Sequence, residues 1–488
     1  MPAPRAAKHG HFGAIQVVET IQTVLTALIL AFVFRAFFIE AFIIPTGSMA
    51  ESLRGEHGHF VCPRCGWSFD YGPDRASPAG DEFVLPREVL CPNCHEPYVL
   101  DPRQHLTLAG DRVLVHKWPF ELGDWLGPRR WDVIVFRDPA DPEQNFIKRL
   151  IGLPGEALEI VDGDVYVNGI IQRKTAAAQQ ALWSVVHDQD HVVSSSSRPV
   201  WAVVSGDAAA WSGLDSRVPR FAGGPARRSA IRFNPNKEAL YSEDLYGYNQ
   251  SASGAIVRDL RIAADLVPAG DSEIGFVLDR GDERFLARVA ASGSCDLIGE
   301  RLNGDTRQEH FRETNAFTPT AWIRVELRHV DYRAALFING VELLHTDDAY
   351  APNLDALRHA GPPTPAVVEI EGRGGNWELH NVRIYRDVYY TYRPGATLRA
   401  TPGDAFRLQA DEYFVLGDNS PFSHDGREWY RVGPHLTAAY HGQSYRPGTV
   451  RRDQVVGRAF FVYLPALQPS DAVSFLRVPD FGRTRVIR

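Results

Sequence analysis

The sequence predicts a mainly β protein carried on one N-terminal membrane helix, with two further segments inserted into a small β domain. Three observations predict it. An apolar stretch from Ala14 to Phe34 is long enough to span a bilayer as a helix. Short β-branched segments with period-two alternation recur between turn residues from Gly110 onward. Two Cys-Pro-x-Cys pairs, CPRC at 62–65 and CPNC at 91–94, stand 25 residues apart. At 488 residues the chain exceeds one ordinary core and suggests two to four units, taking about 150 residues per domain. With 44% hydrophobic and 23% charged residues it is globular in composition, and a net charge of −8 without a basic stripe excludes a nucleic-acid partner.

Residues 1–36 form a cytoplasmic N-terminus and anchor. Arg5 and Lys8 precede the apolar run and no acid does, so the positive-inside rule puts the N-terminus inside and everything after Arg35 outside. A buried amphipathic helix and a cleaved signal peptide are the alternatives. No small-x-small cleavage site follows the run, which favours a retained anchor. Phe37, Phe38, Ile39, Phe42, Ile43 and Ile44 keep the chain apolar beyond Arg35 and suit the membrane interface.

Residues 37–55 hold the first part of the β domain. There Pro45 and Gly47 break a β-branched run and present Ser48 with a free hydroxyl beside turn N–H groups, as an acyl-transfer nucleophile requires. Residues 56–109 read as an insertion. Cys62, Cys65, Cys91 and Cys94 have the spacing of two knuckles gripping one zinc ion, two disulfides being the alternative. Residues 110–170 resume the β domain with GDRVLVHKW, RRWDVIVFRDP and a strand bearing Lys148. A hairpin follows, turning at Asp162-Gly163 and Asn168-Gly169. A lysine facing inward from an apolar strand is desolvated.

Residues 171–400 carry seven alternating segments, from IVRDLRIAADLV to WELHNVRIYRDVYYTY, and predict an antiparallel sandwich able to fold by itself. His329, His380 and Cys295 there are single residues without a catalytic constellation. Residues 401–467 return to the β domain with EYFVLGDNSPFSHDGREW and a closing strand, and 468–488 read as a tail.

Five blocks in order resemble the bacterial type I signal peptidases, the membrane-anchored Ser/Lys endopeptidases of family S26. They are FRAFFIEAF, IPTGSM, GDRVLV, FIKRLIGLPGE and GDNSPFSHDGR. The resemblance implies Ser48 as nucleophile and Lys148 as general base. It gives Thr46 as an oxyanion donor, Ser423 as the serine that bonds the lysine amine, and Asp418, Asp425 and Arg427 as supports of that wall. It implies exported preproteins as substrates at the inner membrane, membrane lipid as the other partner, and no cofactor for catalysis beside a structural zinc. Two departures stand out: Phe146 replaces a tyrosine frequent in the family, and 56–109 interrupts the nucleophile and GDRVLV blocks. FINGVEL and WELHNVRIY resemble concanavalin/laminin-G-type sandwiches, which implies a carbohydrate or cell-wall ligand or a purely structural insertion. Two other readings fit the sequence less well. A LexA-like autoprotease would need a soluble chain with a helix-turn-helix, and a tethered binding protein with an idle protease domain would have no use for a buried lysine.

Overall fold

The computed structural model describes residues 10–73, 84–103, 107–117, 127–193, 199–224, 227–234, 240, 248, 254–346, 350–392, 398–437, 444–465, 467–469, 477–479 and 481–487. An α-helix, Gly10–Phe37, opens it with 28 residues. That is roughly 42 Å at 1.5 Å per residue, beyond the ~30 Å hydrocarbon core of a bilayer. Val17, Val18, Val24, Leu30 and Val33 project around the whole circumference and are 45–63% exposed. An amphipathic helix would bury one stripe against protein, whereas none of Gln16–Val33 is buried.

The β domain is built on an eight-stranded sheet. Its order runs Ile39–Ile43, Arg112–His116, Val455–Leu464, Val133–Arg137, Asn145–Gly152, Glu412–Leu416 and Val450–Arg451, with Arg485–Val486 added on Val455–Leu464. Every pairing is antiparallel, and strands from distant parts of the chain lie side by side. Met49, Leu53, Val113, Val133, Ile147 and Val462 fill one core. A four-stranded sheet, Ile170–Ile171, Asp164–Val167, Ala157–Val161 and Phe406–Arg407, packs Leu158, Ile160 and Val165 against Val388, Tyr390 and Ala400. Its two turns take the conformation their residues suit: Asp162, Gly163, Asn168 and Gly169 all have φ between 51° and 82°.

The excursion after Ser48 leaves and re-enters the sheet at one place. The Asp111 N–H donates to Arg54 O at 2.8 Å, the Ile44 N–H donates to Asp111 O at 3.0 Å, and His57 bridges Leu108. Between these ends lie two hairpins, Gly58–Val61 with Ser68–Tyr71 and Glu88–Leu90 with Pro97–Val99.

Strands between Ser184 and Arg386 form an antiparallel sandwich of two sheets. Alternate residues of both, including Phe221, Ile262, Phe276, Phe285, Leu327 and Trp377, close one apolar core. Seven of its described strands are less apparent in the sequence, among them Trp201–Gly206, Arg228–Phe233 and the long hairpin Ser294–Asn303 with Thr306–Ala316. The outer face of that hairpin is polar on nearly every residue, so the apolar half of the alternation is faint.

Candidate active site

Ser48 sits in a single 3-10 turn, Gly47–Met49, that follows extended Thr46. Two contacts from the Gly-Asp-Asn turn hold it: the Asn419 N–H donates to Ser48 O at 3.1 Å and Asn419 Nδ2 donates to Gly47 O at 3.0 Å. Gly417 lets that turn approach. A Cβ there would lie 2.1 Å from Ser423 Oγ and 2.5 Å from Ser48 O. Gly47 is needed for another reason, because a Cβ would fall 2.0 Å from the ring of Tyr248. Tyr248 is buried, lies in the 171–400 segment and stacks on His57 at 6.2 Å, so that segment reaches the Ser48 turn.

Lys148 lies opposite Ile134 in the sheet, and its Nζ stands 2.6 Å from Ser48 Oγ. It also donates to Ile147 O at 3.1 Å. Ser48 and Lys148 are 7% and 4% exposed. The Phe146 ring centre is 5.4 Å from the amine. Burial pulls the Lys148 pKa down to about 8, and the more distant Asp425, Asp418 and Asp138 oppose it only in part. Two of those carboxylates are neutralised by arginines. Asp418 accepts from Arg149 Nε and Nη2, both at 2.7 Å, and Asp425 accepts from Arg427 Nε at 2.9 Å and Nη2 at 2.8 Å.

Thr46 Oγ1 lies 3.4 Å from Ser48 Oγ. Ser423 is fully buried but makes no hydrogen bond to Lys148 among the described residues, unlike the serine the resemblance implies. It contributes to the environment of Asp425. There burial pushes the carboxyl up, but Arg427, the Gly417 N–H at 3.0 Å and Ser423 outweigh it and hold the group below its ordinary value. Arg427 also donates to Ser420 Oγ at 2.8 Å. Arg149, Asn419 and Tyr248 were not singled out in the sequence. Arg149 could have been, because it follows Lys148 in an apolar strand and must satisfy a buried guanidinium on the opposite face.

Cys62, Cys65, Cys91 and Cys94 bring four sulfurs within 4.8 Å of one another, a set that could hold a metal ion. All are free thiols, with Cys62–Cys94 and Cys65–Cys91 each 3.6 Å apart across the two knuckles, far from the ~2.05 Å of a disulfide. The knuckles have the same build. The Gly66 N–H donates to Cys62 O and the His95 N–H to Cys91 O, and Gly66 and His95 take φ of 73° and 57°. Asn93, within the second knuckle, donates to His191 O at 3.0 Å and accepts from the Asp188 N–H at 2.9 Å. His191 in turn meets Cys65 O at 3.1 Å and Trp67 edge-on at 5.1 Å.

Comparison with known proteins bears on the β domain. The family described as signal peptidase, peptidase S26, matches residues 101–211 and 368–464, which include Lys148, Asp418, Ser423, Asp425 and Arg427 but not Ser48. Signal peptidase I of Pseudomonas fluorescens is 30% identical over 153 residues, 31% of this chain and 38% of the relative. Signal peptidase I of Pseudomonas aeruginosa is 31% identical over the same shares, and that of Rickettsia bellii 26% identical over 30% of this chain and 37% of the relative. The chain thus spans under two fifths of the length of the curated relatives it matches. Among solved structures, carbohydrate binding module CBM66 from Bacillus subtilis is similar at 12% identity and a TM-score of 0.24, over 39% of this chain and 97% of that one. A likeness that low carries no reading of a ligand. The family match on the lysine and Gly-Asp-Asn segments and the signal peptidase I relatives agree with the five ordered blocks: the β domain of this chain is similar to the S26 signal peptidases.

Proposed function

We propose that this protein is a membrane-anchored serine endopeptidase that removes signal peptides from exported preproteins, with Ser48 as nucleophile and Lys148 as general base. The observation that carries the reading is the 2.6 Å approach of a buried amine to a buried hydroxyl 100 residues away, with no carboxylate bonded to the amine among the described residues. A neutral amine takes the Ser48 proton while Oγ bonds to the scissile carbonyl carbon. The resulting ammonium returns that proton to the leaving amine as the C–N bond breaks. Water then repeats the sequence on the acyl ester, with Lys148 again accepting the proton. Thr46 donates to the oxyanion in this reading. Arg149–Asp418 and Arg427–Asp425 keep carboxylate charge occupied so that the amine stays neutral, and Asn419 holds the Ser48 turn.

The Gly10–Phe37 helix fits an inner-membrane anchor with the N-terminus inside and the β domain outside, resting on lipid through Phe37, Phe38 and Ile43. Cys62, Cys65, Cys91 and Cys94 would hold one structural Zn²⁺, far softer chemistry than the site needs for hydrolysis. Through Asn93 and His191 these knuckles clasp the sandwich, which supports a structural role for the insertion in place of a carbohydrate ligand. An idle, merely tethered domain is disfavoured by the intact amine–hydroxyl pair. Incubating the purified protein with a preprotein tests the proposal: wild type should release the signal peptide and Ser48→Ala should not. Equal cleavage by both would refute it.

A further inference from the structure

A cavity of about 520 Å³ lies behind the nucleophile turn, where the β domain, the start of the insertion and the last described residues of the chain meet. That volume is in the range of small-molecule sites. Neither Ser48 nor Lys148 lines it, although Glu51 and Ser52 on one side and Asp418 and Ser420 on the other belong to the loops that hold the active site.

Its walls are strongly cationic. Arg54, Arg149, Arg386, Arg483 and Arg485 line it against Glu51 and Asp418. Arg149 is matched by Asp418, and Arg54 by Asp70 behind the wall. Arg386 spends Nη1 on Asp387 O at 3.2 Å, and Arg485 donates to Arg483 O at 3.0 Å and to Ser52 O. Arg483 has only Asp111, 3.9 Å away, and its buried Nη1 has no partner among the described residues. A second buried donor, Trp183 Nε1, is likewise without an acceptor there. Burial, then the like charge of Arg54, pulls the Arg483 pKa down to about 10. Five guanidinium groups thus face four carboxylates. An unpartnered buried N–H is costly, and an anion with several oxygens would satisfy both donors at once. Leu182, Trp183, Val388 and Ile487 add an apolar wall beside the charge.

We propose that this cavity binds a phosphate ester, the phosphate seated on Arg386, Arg483, Arg485 and the Trp183 N–H, the organic body against Leu182 and Ile487. A phosphate is preferred to a carboxylate because Arg386, Arg483 and Arg485 line one cavity, and a phosphate ester offers them three oxygens where a carboxylate offers two. Such an ester could be soluble or could be the glycerophosphate head of an anionic lipid. The test uses the full chain in nanodiscs of phosphatidylcholine, titrated with glycerol 3-phosphate while its unfolding temperature is followed. Wild type should be stabilised saturably, and glycerol should have no effect. Arg483→Gln should bind at least about tenfold more weakly, the loss of one charge-assisted bond. Glu51→Gln should bind more tightly, since it removes one of the two carboxylates that line the pocket, and it keeps the test alive if Arg483→Gln does not fold. The exposed Arg324→Gln, on the sandwich, is the control and should match wild type. In nanodiscs containing phosphatidylglycerol, loss of the glycerol 3-phosphate response would identify the lipid as the source, and its persistence a soluble ester. No stabilisation in phosphatidylcholine at millimolar ester, or equal responses from wild type, Arg483→Gln and Glu51→Gln, would overturn the proposal.

Discussion

Lys148 and Lys174 are both buried, both lie over an aromatic ring at nearly the same distance, 5.4 Å from Phe146 and 5.5 Å from Trp131, and yet their amines are driven in opposite directions. Lys148 is pulled down to about 8. Lys174 is pushed well above its ordinary value: burial opposes this, but Asp331 and Asp387, the latter at 2.7 Å, overcome it. The ring and the burial are shared, so neither makes a base. What separates the two amines is a carboxylate in contact. Lys174 has two and ties the sandwich turn at Asp331 to the strand end at Asp387, whereas Lys148 has a serine hydroxyl and carboxylates already claimed by arginines.

This contrast can be broken by substitution. The largest effect belongs to the proposed dyad. Lys148→Ala should lower kcat about 10²–10⁴-fold, the usual contribution of a positioned base. Lys148→Arg should be as inactive, because a guanidinium keeps its proton, and Ser48→Ala with Lys148→Ala should lose little more than either alone. Steady-state cleavage of a preprotein measures all four. Phe146→Glu should make Lys148 resemble Lys174 by setting a carboxylate near the amine. The rising limb of activity should move up by about 1–3 pH units, with kcat near its plateau largely retained.

The reverse change, Lys174→Met, should cost stability and spare chemistry. It leaves Asp331 and Asp387 buried without their cation, a loss of about 3–5 kcal/mol in urea unfolding, with normal kcat at a temperature where the protein is folded. The two lysines also act oppositely on stability against pH. Because the unfolded chain keeps the Lys148 proton up to 10.5 and the folded chain only to about 8, Lys148 makes the protein gain stability between those values as pH rises. Lys174 contributes fully below 10.5 and its contribution fades above that, as the pH climbs toward its raised folded value. Smaller still is the clasp. About one equivalent of zinc should be found by mass spectrometry, and Cys91→Ser or chelation should expose the Asp188–His191 segment to protease while initial cleavage rates change little. Two disulfides and no metal would contradict it.

Much of this was legible. The blocks around Ser48, Lys148 and Asp425 are local, because each is a turn or strand whose side chains serve one wall, and the alternation of the sandwich core reflects one buried face. What was not legible depends on contacts between distant segments. Nothing near Tyr248 signals that its ring covers Gly47, 201 positions earlier. Arg149 and Asp418 were each visible, but only pairing across the sheet, where Leu416 faces Arg149, shows that they neutralise each other. The role of Ser423 was carried from resemblance, and its environment directs it to Asp425. The cationic cavity has no local pattern, since three parts of the chain contribute to it.

The central claim is that Lys148 works as a neutral amine because nothing acidic touches it. The most direct measurement is the pH dependence of kcat/KM for preprotein cleavage by wild type, with Lys148→Arg alongside. The account predicts a rising limb with a pKa of about 8 in wild type and no turnover by the folded, membrane-inserted Lys148→Arg at any pH. A flat wild-type profile through that region, or substantial turnover by Lys148→Arg, would contradict it.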